Sequence, residues 1–217
     1  PYILEKVAEQ NGSEFIRSDE SSVQEDDLNG FSYIEHPSNV AVALDVCEKA
    51  GVSKETALKG MHKVQPDVGA LIAWDLKTLD KKMCFVNGMA ANDPVSTLQI
   101  WNFTTNRFVK NEETTCVFFN SRDDRPSRTA QMIELTFKTI KPDYFFIRGD
   151  KVKNMLSRFS KYSPNTSIQI IGLSNPLDEV ISHIKSLPHD SFVYAIGNQV
   201  GAGQEILEKI SELKYHG

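Results

Sequence analysis

Five short apolar runs, at residues 83–86, 115–119, 144–147, 168–171 and 192–196, recur along the second half of the sequence with amphipathic segments between them. A strand buried on both faces reads as such a run, because neither of its alternating sets of side chains meets water. The alternation therefore predicts an α/β domain with a mostly parallel sheet and helices on both faces. Asp93-Pro94 and Asn175-Pro176 each place a capping residue before a proline suited to the first helical position. Ile133, Phe137 and Ile140, then Val180, Ile181 and Ile184, supply inward helical stripes. Residues 71–74 are separated from Met83 by a polar turn, which predicts an antiparallel hairpin at the sheet's edge.

The first third of the chain reads differently. Residues 2–10 carry a helical pattern, and residues 13–17 are expected to form a short strand after the turn at Asn11-Gly12. Asp19, Glu20, Glu25, Asp26 and Asp27 come with no basic residue among them, which reads as a solvated loop or, alternatively, a metal or partner site. A helix follows from Ser38, with Val40, Leu44 and Cys47 on one stripe, Ala43, Val46 and Ala50 beside it, and Gly51 as its stop. Ser53 caps a second helix through Ala57, Leu58 and Met61. Pro66 and Gly69 break the pattern, and a domain boundary is expected there, dividing 1–68 from 69–217.

Ligands of an open parallel sheet sit outside the carboxyl ends of its strands, where helix N-termini point free N–H groups outward. Those ends are Asn87, then residues 120–125, then 148–150, then Ser174-Asn175, then Gly197-Asn198. Arg122, Asp123, Asp124 and Arg125 pack two charges of each sign into four positions, either as a locally paired loop or as a site for charged ligand groups. Residues 197–203, Gly-Asn-Gln-Val-Gly-Ala-Gly, fit a close backbone approach to a phosphate or carboxylate, or a plain glycine turn.

Several classes are excluded by what is missing. There is no G-x-x-x-x-G-K-[ST] loop, no G-x-G-x-x-G after the domain's first strand and no G-x-S-x-G elbow. The 217 residues carry a net charge of −5, which argues against nucleic acid held by phosphate neutralisation. No run approaches the roughly 20 apolar residues of a membrane helix. Cys47, Cys84 and Cys116 lack C-x-x-C spacing, so inert thiols in a reducing, cytosolic setting are expected, and no metal site in this chain. His62, His183, His189 and His216 read as surface or packing residues. Pro1 in place of an initiator Met reads as a fragment or processed product.

Four segments carry a resemblance to a known family. Glu35-His36-Pro37-Ser38-Asn39-Val40-Ala41 is similar to an Asn-x-x-Asn-Ala helix, with Asn39 at the second asparagine and His36 at the first. Residues 65–70 stand where a Pro-Gly-Arg linker is found, with Ala70 at the arginine. Asn87-Gly88-Met89-Ala90-Ala91-Asn92-Asp93-Pro94 resembles the Asp-Tyr-Ala-His-Asn-Pro segment, and Asn120-Ser121-Arg122-Asp123-Asp124-Arg125-Pro126-Ser127-Arg128 resembles Gly-Asp-Arg-Asp-x-Gly-Arg. By these residues the chain resembles the Mur-ligase-like amide ligases, most closely their poly-γ-glutamate synthase branch.

The resemblance implies a Rossmann-like Mur ligase C-terminal domain preceded by the helical end of a Mur-type ATPase domain. It implies ligation of glutamate to poly-γ-glutamate through an acyl phosphate. ATP and Mg2+ would be gripped by a missing N-terminal ATPase half that carries the P-loop and metal ligands, leaving this chain alone inactive. Arg122, Asp123, Asp124 and Arg125 are then the expected catalytic set. Asn87, Asn92, Asp93, Asn120, Ser121, Arg128 and Asn198 line the cleft, and His36 and Asn39 face the nucleotide. Membrane subunits of a capsule polymer synthase complex are the implied partners, holding the protein peripherally at the inner face of the membrane. The competing readings are a non-catalytic Rossmann-like binding module and another Mur-type ligase, for folylpolyglutamate or a peptidoglycan precursor.

Overall fold

The computed structural model describes residues 2–64, 70–78, 81–91, 93–110, 113–188 and 190–213. Its contacts divide the chain into two compact units, residues 1–67 and 68–217. The Pro-Gly break at 65–69 lies outside the described residues, as do Asn92, His189 and His216.

In the first unit, helix α1 (Tyr2–Gln10) buries none of its side chains, and Tyr2, Ile3 and Leu4 are exposed. Residues 13–17 form no strand, correcting the expectation. A segment becomes a strand only with a ladder partner, and none pairs with these residues among the described ones. The acidic stretch is not a plain loop either. Asp19 Oδ1 accepts from Ser21 N at 3.0 Å to start a 3-10 turn (Glu20–Ser22), and Asp27 Oδ2 accepts from Gln24 N at 2.9 Å across the one-turn helix α2 (Glu25–Leu28). Asp27 also pairs with Lys54 at 2.7 Å, so these carboxylates satisfy local donors.

Helix α3 (Pro37–Lys49) starts on His36, whose Nδ1 accepts from Ser38 N at 3.2 Å. Its buried residues are Val40 and Ala41, whereas Val46, read as lying beside the apolar stripe, is 64% exposed. Helix α4 (Lys54–Met61) is capped by Ser53 as expected and buries Ala57.

The second unit is a six-stranded sheet in the order β1-β2-β6-β3-β4-β5. Its strands are β1 (Ile72–Thr78), β2 (Lys81–Asn87), β3 (Thr114–Asn120), β4 (Tyr144–Arg148), β5 (Ser167–Ile171) and β6 (Ser191–Gly197). The expected hairpin is present: β1 runs antiparallel to β2 at the edge, and every other pairing is parallel. Side chains alternate between two cores. Phe118 joins Phe146, Val180 and Ile206 on one face, while Val117 and Phe119 join Trp101, Ile133 and Leu156 on the other. Helices α5 (Pro94–Phe108), α6 (Pro126–Leu135) and α7 (Lys153–Phe159) therefore cover one face, and α8 (Leu177–Lys185) and α9 (Ala202–Ser211) the other.

Asp93 caps α5 as its sequence predicts, accepting from Val95 N and Ser96 N at 2.9 Å each. Asn175 does not cap α8. Pro176, with ψ at 141°, is still extended and holds the cap position, so Asn175 Nδ2 donates instead to Glu179 Oε2 at 2.6 Å. Cys116 is fully buried and Cys84 half-buried. Burial pushes the Cys84 thiol up to about 12, as expected of inert thiols. Among the described residues no helix is long and apolar enough to cross a membrane.

Candidate functional site

The chain leaves β3 toward α6 on one face of the sheet and leaves its neighbour β6 toward α9 on the other. Adjacent strands whose connections part in this way open a crevice at their carboxyl ends. A cleft of about 340 Å³ lies there. Its floor is apolar, from Met89, Phe119 and Met132, with Ala90 and Ala91 after β2. One wall carries Arg122, Arg125 and Arg128 beside Thr129. The other is the glycine-containing loop from Gly197 to Val200, and Asn120 lies between them.

Arg122 sets a two-pronged fork on Asp124, Nε to Oδ1 at 2.9 Å and Nη2 to Oδ2 at 2.6 Å. The pair holds the Asp124 carboxyl below its usual value and Arg122 above its own. Both side chains reach solvent, so an incoming carboxylate competes for the fork at modest cost. Arg125 stands at the N-cap of α6, its N–H bonded to Arg122 O at 3.2 Å, and makes no ion pair with a described residue. The Thr129 hydroxyl donates to the same carbonyl at 3.3 Å. Three guanidinium groups on one wall of a partly apolar cleft suit a ligand with carboxylate or phosphate groups on an aliphatic body.

The other expected site residues separate into groups. Asn120 and Asn198 sit in the cleft, tied by Asn120 Nδ2 donating to Asn198 O at 2.6 Å and Asn198 N donating to Asn120 O at 2.8 Å. Gly197 allows this approach: its φ is +99°, and a Cβ there would stand 2.4 Å from Asn120 O. Asn87 is buried beneath the cleft, its Oδ1 accepting from Met89 N at 3.2 Å, so it shapes the wall without lining it. Ser121 is also buried, donating to Arg148 O at 2.7 Å. Asp93 and Asp123 do not line the cleft, and bonds from the Ser96 and Val95 N–H groups, with Arg128 nearby, keep the Asp93 carboxyl below its usual value. His36 and Asn39 belong to the first unit, where His36 caps α3 and Asn39 Nδ2 donates to Glu35 Oε1 at 2.8 Å.

Sequence reasoning missed the apolar floor, and it read Arg148 only as one of the strand ends without a role in the site. The floor residues look like ordinary core, but an arginine ending the run Tyr-Phe-Phe-Ile-Arg was a visible irregularity. Among the described residues no three His, Cys, Asp or Glu side chains gather to hold a metal.

Residues 75–213 match the family described as the poly-gamma-glutamate synthase CapB C-terminal domain. The chain belongs to this family. It is 33% identical over 211 residues to the capsule biosynthesis protein CapB of Bacillus anthracis, covering 96% of this chain and 45% of that protein. To the PGA synthase CapB of Bacillus subtilis it is 29% identical over 214 residues, 98% of this chain and 54% of that one. The chain thus spans about half the length of the curated relatives it matches. Among solved structures it is similar to MurF from Acinetobacter baumannii, with TM-score 0.59 and 15% identity over 82% of this chain and 38% of that one. It is also similar to the UDP-N-acetylmuramate-alanine ligase MurC from Thermotoga maritima, with TM-score 0.54 and 12% identity over 81% of this chain and 37% of that one. The fold is that of the Mur ligases.

Proposed function

We propose that this chain is the amino-acid-holding part of an ATP-dependent ligase that joins glutamate to poly-γ-glutamate. The observation that carries the reading is the convergence of Arg122, Arg125 and Arg128 on one cleft at the β3/β6 crevice. In the proposed reaction a glutamyl carboxylate oxygen attacks the γ-phosphorus of ATP. The bond to the β–γ bridging oxygen breaks, and ADP leaves. The amine of a second glutamate, having lost a proton, attacks the acyl carbon, and inorganic phosphate departs as the amide forms.

Such chemistry rests on positioning and charge neutralisation. Arg122 and Arg125 would grip a glutamate carboxylate by paired hydrogen bonds, Arg122 exchanging Asp124 for the substrate. Arg128 would supply further positive charge, and Asp124, once released, would face the incoming ammonium. ATP and Mg2+ would be held by a P-loop half outside this sequence, with His36 and Asn39 turned to the nucleotide. Because ATP is consumed, the reaction would occur on the cytoplasmic side, with membrane subunits of a polymer synthase holding the enzyme at the inner face.

Arg122→Ala or Arg125→Ala in the full-length protein should raise KM for glutamate roughly tenfold to a hundredfold, the worth of a charge-assisted hydrogen bond. Hydroxylamine added with ATP and glutamate should trap the acyl phosphate as a hydroxamate. An unchanged KM and turnover in both variants rejects the assignment.

A further inference from the structure

Arg148 ends β4 at the level of Asn120 on β3 and Ile171 on β5. It is only 8% exposed, and no carboxylate pairs with it among the described residues. Its Nη2 donates to Leu173 O at 2.6 Å and its Nη1 to Asn120 Oδ1 at 3.5 Å, while its Nε has no partner among the described residues. Burial lowers its pKa, opposed by the charges of Asp150 and Glu205. An aliphatic side chain would fill this space without the cost of desolvating a cation. What only the guanidinium provides is two donors reaching two loops at once.

We infer that Arg148 is a positioning residue that sets the orientation of the Asn120 amide and, through it, the glycine-loop wall of the cleft. The logic is one of donors and acceptors. Arg148 can only donate, so the oxygen of the Asn120 amide must face it. The Nδ2 group is thereby turned toward Asn198 O, an acceptor, and closes the 2.6 Å bond that ties the loop to β3. With Arg148 gone, the amide loses one of the two contacts that favour this orientation, and the loop keeps its backbone bond from Asn198 N to Asn120 O while its side-chain tie loosens. Arg148 is itself held from behind: Ser121 N and Oγ both donate to its carbonyl, at 3.0 and 2.7 Å. Gly149 leaves room for this, since a Cβ there would stand 2.2 Å from Ser121 Oγ. Two of the buried polar residues of the site, Asn120 and Ser121, are thus organised around Arg148.

The effect on glutamate rests on the ligase reading, but the effect on the loop does not, and the experiment separates them. In the full-length protein, Arg148→Met and Arg148→Lys are compared with wild type by hydrogen exchange of residues 198–203 and by KM and kcat for glutamate below the melting temperature. Arg148→Met should speed exchange in that loop while sparing α5, and should raise KM about fivefold to tenfold, the worth of one hydrogen bond, with kcat less affected. Arg148→Lys, which reaches only one of the two acceptors, should fall between. A variant that melts earlier but keeps wild-type exchange and KM overturns the inference. If wild type ligates no glutamate, the ligase reading fails, and loop exchange alone decides the role of Arg148. Should Arg148→Met not fold, Asn120→Leu must reproduce the faster loop exchange, and unchanged exchange there likewise overturns it.

Discussion

Among residues 2–64 the buried side chains are Val40, Ala41 and Ala57, while the sheet unit buries two layers that include Phe85, Phe118, Phe145, Ile147 and Tyr194. The helical unit is held by short-range devices: the His36 and Ser53 caps, the Asp19 and Asp27 turns, and ion pairs such as Lys49 with Glu14 at 2.6 Å. Exposed caps and pairs each contribute about 1 kcal/mol or less, whereas a buried aromatic side chain contributes several. The difference teaches that the sheet unit carries the stability and also positions the arginine cleft, which lies entirely within it.

The largest effect expected from this contrast is in the sheet core. Phe145→Ala, at a fully buried site, should cost about 3–5 kcal/mol. Both tryptophans of the 217 residues, Trp74 and Trp101, belong to the sheet unit, so their emission should follow that loss in a denaturant titration. Val40→Ala should cost only about 1.5–2 kcal/mol, seen in far-ultraviolet circular dichroism without moving the tryptophan transition. Coincident transitions for both variants would break the contrast.

A smaller effect, roughly 1 kcal/mol, is expected from Ser53→Ala, which removes the cap of α4. It should reduce helical signal at low denaturant, and no reduction would show that α4 is held by something other than its cap.

The smallest effect concerns acid. The Lys54 ammonium and the Gln24 N–H hold the Asp27 carboxyl below the usual carboxylate value. Folding lowers that pKa, so the contact contributes fully above the unfolded value, about 3.9, and is lost as pH falls through the lower folded value. A shallow loss of helical signal below about pH 4 should flatten in Asp27→Asn, and an unchanged slope would assign it to other groups.

The sheet unit was legible because its strands are apolar on both faces and its helices carry proline and cap signals, as at Asp93-Pro94. The helical unit was less so. Whether residues 13–17 form a strand depends on a partner elsewhere in the fold, and Val46 has an apolar stripe's spacing yet is exposed. In the site, Arg122 and Arg125 announced themselves by charge density. Asn87 and Ser121 were found as polar residues at strand ends, yet they face inward to hold backbone, which polarity alone does not reveal. Arg148 was visible as a strand end, but its role was not, because that depends on strand order: only β3 lying beside β4 brings it to Asn120.

That order has a further consequence. Strand β6, the last of the described strands along the chain, occupies the middle of the sheet, bridging β2 and β3, and its first residue, Ser191, pairs with Met83 and Thr114. Without it, the pairings left in the sheet are the β1–β2 hairpin and the β3–β4–β5 ribbon, each with an open edge where β6 would bind. A nascent polypeptide stalled before Ser191 is thus an aggregation hazard rather than a smaller working domain, and completion of the sheet must wait for contacts far apart in the chain.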